Sequence, residues 1–405
     1  MRRIITVLIV VTLLAGCGGL RGDSRSYRME KETNYLVEHS LPINVENIDS
    51  TVDTLEGQVR SQNIILAGEV PGVSGNSELQ RHFFEAFNDV RNIDYLVAEI
   101  PYSAGELLNS YFSERNEESL NKVFENLIGR PYATEENRSF FRQLKLYLKN
   151  QGDKVKIVGI DYEYAPSLTL EYLASVMEGH DLAEYPVAKE LVDARDRGFF
   201  QADYLKITLL KLHEELKADP VKGADVFKND FKSVTHVLEN LEKSYEQSEI
   251  DVDEQFSHTR SDQLVKNFLA VYDLAPEAVY FGQLANPAVM QSEHMNYDWF
   301  ASAIQKERNT IKGKVLSILY TYEDCQRMVQ VAGKAEKETL DLFKFDDRKM
   351  NNAINQPYTL ISLIDKSAMF DEESIIFEKD FTGAVTEYFQ YLVVVNESPA
   401  SKELK

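Results

Sequence analysis

The chain has 405 residues, with 66 Asp and Glu against 44 Lys and Arg, for a formal net charge of −22. That acidity speaks against a nucleic-acid partner, because neutralising phosphates supplies most of such affinity, and against a basic face that hugs anionic lipid. An acidic surface keeps a protein in solution, and the length suits one enlarged α/β domain or two domains.

The chain opens with a short basic stretch, Met1-Arg2-Arg3, followed by an uncharged apolar run from Ile4 to Ala15. The run is too short to span a bilayer, which takes roughly 20 apolar residues. Leu14-Ala15-Gly16-Cys17 then resembles a bacterial lipobox, whose cysteine carries fatty acyl chains such as palmitate and becomes the first mature residue. The resemblance implies that residues 1–17 are a lipoprotein signal peptide and that lipid on Cys17 anchors the protein to a membrane of the cell envelope. Gly18 is not the aspartate of an inner-membrane retention signal, which implies the outer membrane in a Gram-negative cell. The plainer alternative is an ordinary signal peptide or a short anchor that contains a cysteine. Residues 18–50 read as a tether and N-terminal extension, flexible and polar through Arg28. Cys325 is the only other cysteine, so a lipidated Cys17 leaves no intramolecular disulfide.

Short runs rich in Ile, Val, Leu and Tyr then read as buried strands: Asn63–Gly68, Tyr95–Ile100, Val155–Asp161, Ala278–Leu284, Val315–Tyr320 and Tyr391–Val395. Helical periods lie between them. Glu78–Val90 places Leu79, Phe83, Phe87 and Val90 on one face, and Asn137–Lys149 does the same with Phe140, Phe141, Leu144 and Leu148. From about 167 to 274 no strand stands out, while Leu205, Leu209 and Leu212 form one helical stripe and Val234, Leu238 and Leu241 another. This is a helical insertion between two strands, either a roof over a ligand cleft or packing alone. Beyond Tyr320, weaker strands are expected at Tyr358–Ile364 and Ser374–Phe377, and Glu397 to Lys405 reads as a frayed end. Residues 51–405 are thus expected to form an α/β domain, with a mostly parallel central sheet flanked by helices and a large helical insertion between strands.

Four strand-like runs stop on an acid or an amide: Leu66-Ala67-Gly68-Glu69, Leu96-Val97-Ala98-Glu99, Val158-Gly159-Ile160-Asp161 and Tyr280-Phe281-Gly282-Gln283. Ligands of open α/β sheets bind outside the carboxyl ends of the strands. In a parallel sheet these four side chains gather on one rim, where neighbouring carboxylates share a proton or hold a cation. The plainer reading is that a strand must end in something polar. Elsewhere the chain holds no nucleophile elbow, no phosphate-cradling glycine loop with a lysine and no Cys–His metal spacing. The amides of the loop Gly72–Ser77 are able to hold an anion, or the loop is a plain turn. His82 is expected on a helix surface beside Arg81, and His294 follows the Gln283 strand.

Taken in order, these residues resemble the erythromycin-esterase-like family. Gly68-Glu69 with Arg81 on the next helix looks like the family's opening motif, and Val97-Ala98-Glu99 like its second acidic strand. Val158-Gly159-Ile160-Asp161-Tyr162 resembles its glycine–aspartate strand, and Arg260, Leu264 and Asn267 resemble an Arg–Met–Asn helix motif. Tyr391–Val395, with Pro399 beyond, is similar to its closing strand. The first acidic motif is also shared with the wider TraB, Tiki and ChaN group. Two departures stand out. Gly72 occupies the place of a histidine three residues after the first glutamate, and Gln283 and Asn286 stand where the family has a pair of histidines. Amides hydrogen-bond a substrate but accept no proton at neutral pH.

The resemblance implies two readings. The favoured one is a catalytically impaired relative that binds a small molecule or a surface partner in an acidic cleft. The other is an active ester or amide hydrolase. In it Glu69 or Glu99 activates water, while Arg81, Gln283 and Asn286 hold the substrate and its oxyanion, and Asp161 and Arg260 line the cleft. No cofactor is required in either, although Glu69, Glu99 and Asp161 are hard oxygen donors that suit a divalent metal.

Overall fold

The computed structural model describes residues 30–404, apart from residues 32, 115–116, 153, 249–253, 332–333, 344–347 and 365–384. The signal segment, Cys17 and the strand expected at Ser374–Phe377 therefore lie outside the described residues.

Ten strands are described: β1 (Ser40–Pro42), β2 (Ile64–Glu69), β3 (Tyr95–Pro101), β4 (Lys156–Asp161), β5 (Tyr280–Ala285), β6 (Val315–Glu323), β7 (Cys325–Val331), β8 (Lys334–Leu340), β9 (Tyr358–Ser362) and β10 (Tyr391–Asn396). Eight of them form one sheet in the order β1-β9-β10-β6-β2-β5-β3-β4, while β7 and β8 pair as a separate hairpin. Every neighbour in the sheet is parallel except β9, which runs against both β1 and β10.

Side chains alternate between the two faces of a strand. Ile65 and Ala67 of β2 enter one core with Leu96, Ala98 and Phe281, and Ile64 and Leu66 enter the other with Val97 and Tyr280. Burial on both faces is why the strands read as continuous apolar runs rather than as alternating ones.

The helices α1 (Asp49–Ser61), α2 (Gly75–Val90), α3 (Tyr102–Ser113), α4 (Glu118–Asn126) and α5 (Glu135–Gln151) fall among the first strands. The first core receives Phe83 and Phe87 of α2 and Phe140 and Phe141 of α5. Thr134 caps α5 by accepting from the Asn137 N–H, and Gly152 ends it in the left-handed conformation. The expected helical insertion holds α6 (Pro166–Met177), α7 (Pro186–Asp196), α8 (Ala202–Ala218), α9 (Pro220–Phe227), α10 (Phe231–Ser248) and α11 (Glu254–Tyr272). The last of these turns back to the sheet and packs Leu264 and Phe268 into the second core, beside Phe300 and Ile304 of α12 (Phe300–Glu307). A short α13 (Arg348–Ala353) precedes β9.

Two segments differ from the sequence expectation. The second half of the supposed N-terminal extension is built in, since Tyr35 and Leu36 are buried in the second core and β1 pairs with β9. The C-terminal stretch expected to fray is instead a strap, in which Ala400 bridges to Val73 and Glu403 to Thr134. Its polar backbone is paired: Ser74 N–H donates to Pro399 O at 2.9 Å, Ser401 N–H to Gly72 O at 2.8 Å and Glu135 N–H to Lys402 O at 2.9 Å. A charged composition suggested solvation, but two loops with unpaired backbone groups gave the strap its partners.

A carboxylate-lined cavity at the strand ends

After β4 and the helical insertion, the chain returns to place β5 between β2 and β3 and then adds β6 on the far side of β2. Gln283 of β5 is consequently in register with Ala67 on one side and Ala98 on the other. The carboxyl ends of four adjacent parallel strands thus carry Glu69, Gln283, Glu99 and Asp161 side by side. They border a cavity of about 610 Å³. Tyr245 and Gln247 of α10 and Arg260 of α11 form its roof, so the helical insertion takes part in the site. Arg130 and Tyr132 from the loop between α4 and α5, with Ser401 of the strap, contribute to another wall.

Arg260 is clamped between two of these acids. Its Nη2 lies 2.7 Å from Asp161 Oδ2 and 2.9 Å from Glu99 Oε2, and its Nε lies 3.1 Å from Asp161 Oδ1. The remaining oxygen, Glu99 Oε1, accepts from Ala285 N–H at 3.0 Å, and Asp161 Oδ1 accepts in addition from Tyr162 N–H at 2.8 Å. Burial pushes the Asp161 carboxyl upward and the guanidinium pulls it back. Two turns along the same helix, Asn267 Nδ2 donates to the carbonyl of Ile160 at 2.9 Å, which ties α11 to the end of β4. The Arg260, Leu264 and Asn267 pattern therefore docks a helix onto the acidic strand ends.

Glu69 is held differently. Tyr320 donates its hydroxyl to Gln283 Oε1 at 3.1 Å, which turns the amide so that Nε2 donates to Glu69 Oε2 at 2.6 Å. Tyr322 orients Asn76 in the same way, its hydroxyl meeting Asn76 Oδ1 at 3.0 Å. No salt bridge reaches Glu69 among the described residues. Burial, with the nearby Glu99 charge, raises its pKa to about 8, against the opposing hydrogen bonds of Gln283 and Asn76. Glu163, also in the cavity wall, is pushed to about 7 by burial, although Ser103 and Thr169 hydrogen-bond it.

Five expected site residues, Glu69, Glu99, Asp161, Arg260 and Gln283, meet in this cavity. Arg81 does not join them. It sits one turn beyond the cavity-lining Ser77 on α2, where its guanidinium bonds Glu85 and the carbonyl of Val45. Asn286 also turns away, donating to the Tyr320 carbonyl at 3.3 Å. His82 is buried rather than on a surface: its Nε2 lies 2.8 Å from Thr51 Oγ1, and burial lowers its pKa to about 4. None of the seven histidines is among the described residues that line the cavity. The amides of the Gly72–Ser77 loop are used internally, since Ser74 N–H bonds Pro399 O and Gly75 N–H bonds Ser398 Oγ.

Among the described residues no three His, Cys, Asp or Glu side chains are placed to hold a metal ion. Glu99 and Asp161 face the Arg260 guanidinium, so the oxygen set suggested by the sequence does not fit a divalent cation. Several residues of the site and its supports were unannounced. Tyr320 and Tyr322 alternate on β6 and so share a face, a signal that the sequence did contain. Tyr132 and Ser401 lie in connecting segments and left no periodic trace.

A family model described as erythromycin esterase matches residues 91–316. No curated protein matches the chain. Among solved structures, a Bacillus cereus protein is 14% identical with a TM-score of 0.65, over 93% of this chain and 99% of its own. A succinoglycan biosynthesis protein is 12% identical with a TM-score of 0.66 over the same shares, 93% and 99%. A histidine-to-asparagine mutant of the erythromycin esterase EreC, in its open conformation, is 13% identical with a TM-score of 0.60, over 86% of this chain and 94% of that one. At these identities the likeness is one of fold.

Proposed function

The chain belongs to the erythromycin esterase family, and from that premise we propose that its cavity binds a neutral small molecule while its hydrolytic chemistry is impaired. We place the protein at the cell envelope, anchored through lipid on Cys17, on the strength of the Leu14-Ala15-Gly16-Cys17 motif. The observation that carries the binding reading is the state of Glu69. It faces the cavity without a cation, and Glu99, Tyr132, Tyr320 and Tyr322 surround it. With a pKa of about 8 it is chiefly a neutral acid at pH 7, a hydrogen-bond donor and not a ready base. No histidine is among the described residues that line the cavity, and Glu163, whose pKa of about 7 would otherwise suit a base, has both oxygens engaged by Ser103 and Thr169. Gly72, where the resembled motif has its histidine, is pressed against the backbone of Met328, so nothing larger fits there without moving β7.

The same pKa favours a second reading above pH 8, where an ionised Glu69 is a stronger base than an ordinary carboxylate. The experiment that separates the two uses protein lacking residues 1–17, with a panel of neutral esters and lactones titrated for binding and turnover. Saturable binding without turnover, weakened above pH 8 and altered in Glu69→Gln, supports the binding site. Turnover that rises through about pH 8 and disappears in Glu69→Gln establishes a carboxylate-based hydrolase instead. Absence of both binding and turnover overturns both.

A further inference from the structure

Among the polar groups around the cavity, the hydroxyl of Tyr132 stands out. It is buried and has no hydrogen-bond partner among the described residues. Buried hydroxyls nearly always find a partner, and this one belongs to a residue of the cavity wall. Its phenol stays protonated, since burial first and the Glu69 carboxylate second push its pKa up. It is therefore a standing donor beside a second group that carries a proton at neutral pH.

Tyr132 is also firmly placed. Its carbonyl accepts from Asn137 Nδ2 at 2.8 Å, and Asn137 Oδ1 in turn accepts from the hydroxyl of Ser77 at 2.7 Å. From the other side the C-terminal strap grips the loop, with Glu135 N–H donating to Lys402 O at 2.9 Å and Leu404 N–H to Ala133 O at 3.4 Å. Two anchors hold the backbone while the side-chain hydroxyl is left without a partner. Such an arrangement is preorganised for recognition.

Resting on the binding reading given above, we propose that Tyr132 contacts the ligand, its hydroxyl donating beside Glu69 to a carbonyl oxygen of a neutral compound. A phenol and an un-ionised carboxyl make an effective neutral pair for receiving such an oxygen. They suit a ketone, ester or amide better than an anion, because Arg260, the buried cation of the wall, is already engaged by Glu99 and Asp161. The aromatic rings of Tyr162 and Tyr164 supply apolar surface for the remainder of such a ligand.

The test uses 4-fluoroacetophenone as the probe and protein lacking residues 1–17. Its fluorine NMR signal reports affinity, and its infrared carbonyl stretch reports hydrogen bonding at the oxygen. The expected result is saturable binding to wild type with the stretch moved to lower frequency. Tyr132→Phe should weaken binding about tenfold, as loss of one hydrogen bond does, and should reverse part of the shift. An unshifted stretch on the bound wild-type protein overturns the inference without recourse to any variant. Binding that responds to Glu69→Gln while Tyr132→Phe matches wild type in affinity and stretch also overturns it, and leaves the binding site standing. Failure of the probe to bind at all removes both.

Discussion

Gly72 and Met328 meet backbone to backbone. Met328 N–H donates to the Gly72 carbonyl at 2.9 Å, Gly72 has a φ of +93°, and a Cβ placed on it would collide with the Met328 carbonyl. The β7–β8 hairpin that carries Met328 thus lies against the turn after the first acidic strand. Both the left-handed backbone and the contact exclude a side chain. Gly72→Ala is expected to lower stability by about 2 kcal/mol, and Gly72→His by more, without restoring a working histidine. Urea unfolding checks this, and a wild-type midpoint for the alanine variant would contradict it.

Glu69 should make stability fall with rising pH. Its pKa is about 8 in the fold against 4.5 for a freely solvated glutamate side chain. Between those values the folded state holds a proton that the unfolded chain has released, so unfolding is favoured progressively as pH climbs. The contribution is complete below about pH 4.5 and gone above about pH 8. Glu69→Gln should flatten this part of the stability–pH profile, with a gain on the order of a few kcal/mol relative to wild type at the alkaline end. Parallel profiles for the two proteins from pH 5 to 9 would show that Glu69 is ionised throughout.

Arg260 is expected to be structural as well as cavity-lining. Its loss leaves Glu99 and Asp161 side by side with no cation between them. Arg260→Met should destabilise the protein by about 3–5 kcal/mol at neutral pH, read by chemical denaturation. Arg260→Lys should recover only part of this, because a single ammonium cannot reproduce the bidentate contact with Asp161. A fully stable Arg260→Met would mean that water already screens these carboxylates.

The anchor is tested in cells. Cys17→Ser should move the protein from the membrane fraction to a soluble one, since it removes the proposed site of acylation. Unchanged fractionation of the variant would refute the lipobox reading. A mature wild-type chain whose first residue is not a lipidated cysteine, seen by mass spectrometry, would refute it equally.

Much of the fold was legible because the central strands are buried on both faces. Ile64–Glu69 and Lys156–Asp161 read as apolar runs closed by an acid, Tyr95–Pro101 carries its acid two residues before its end, and the long stretch without such runs is the helical insertion. The hairpin of β7 and β8 left less trace, because nearly all of β8, from Lys334 to Thr339, is exposed and polar. The strap at the C-terminus looked like a solvated end for the same reason.

The amino-acid sequence alone placed Glu69, Glu99, Asp161 and Gln283 at or within two residues of the ends of strands, since local apolar patterning and a polar stop are short-range properties. Tertiary structure decided who their neighbours are. The insertion of β5 between β2 and β3 sets Gln283 beside Glu69, and the return of α11 to the sheet makes Arg260, not Arg81, the cation between Glu99 and Asp161. Strand order and helix docking are fixed by pairing and packing between residues about a hundred or more positions apart, which no local period records. The raised pKa of Glu69 has the same origin, because desolvation depends on everything that the whole chain folds around it.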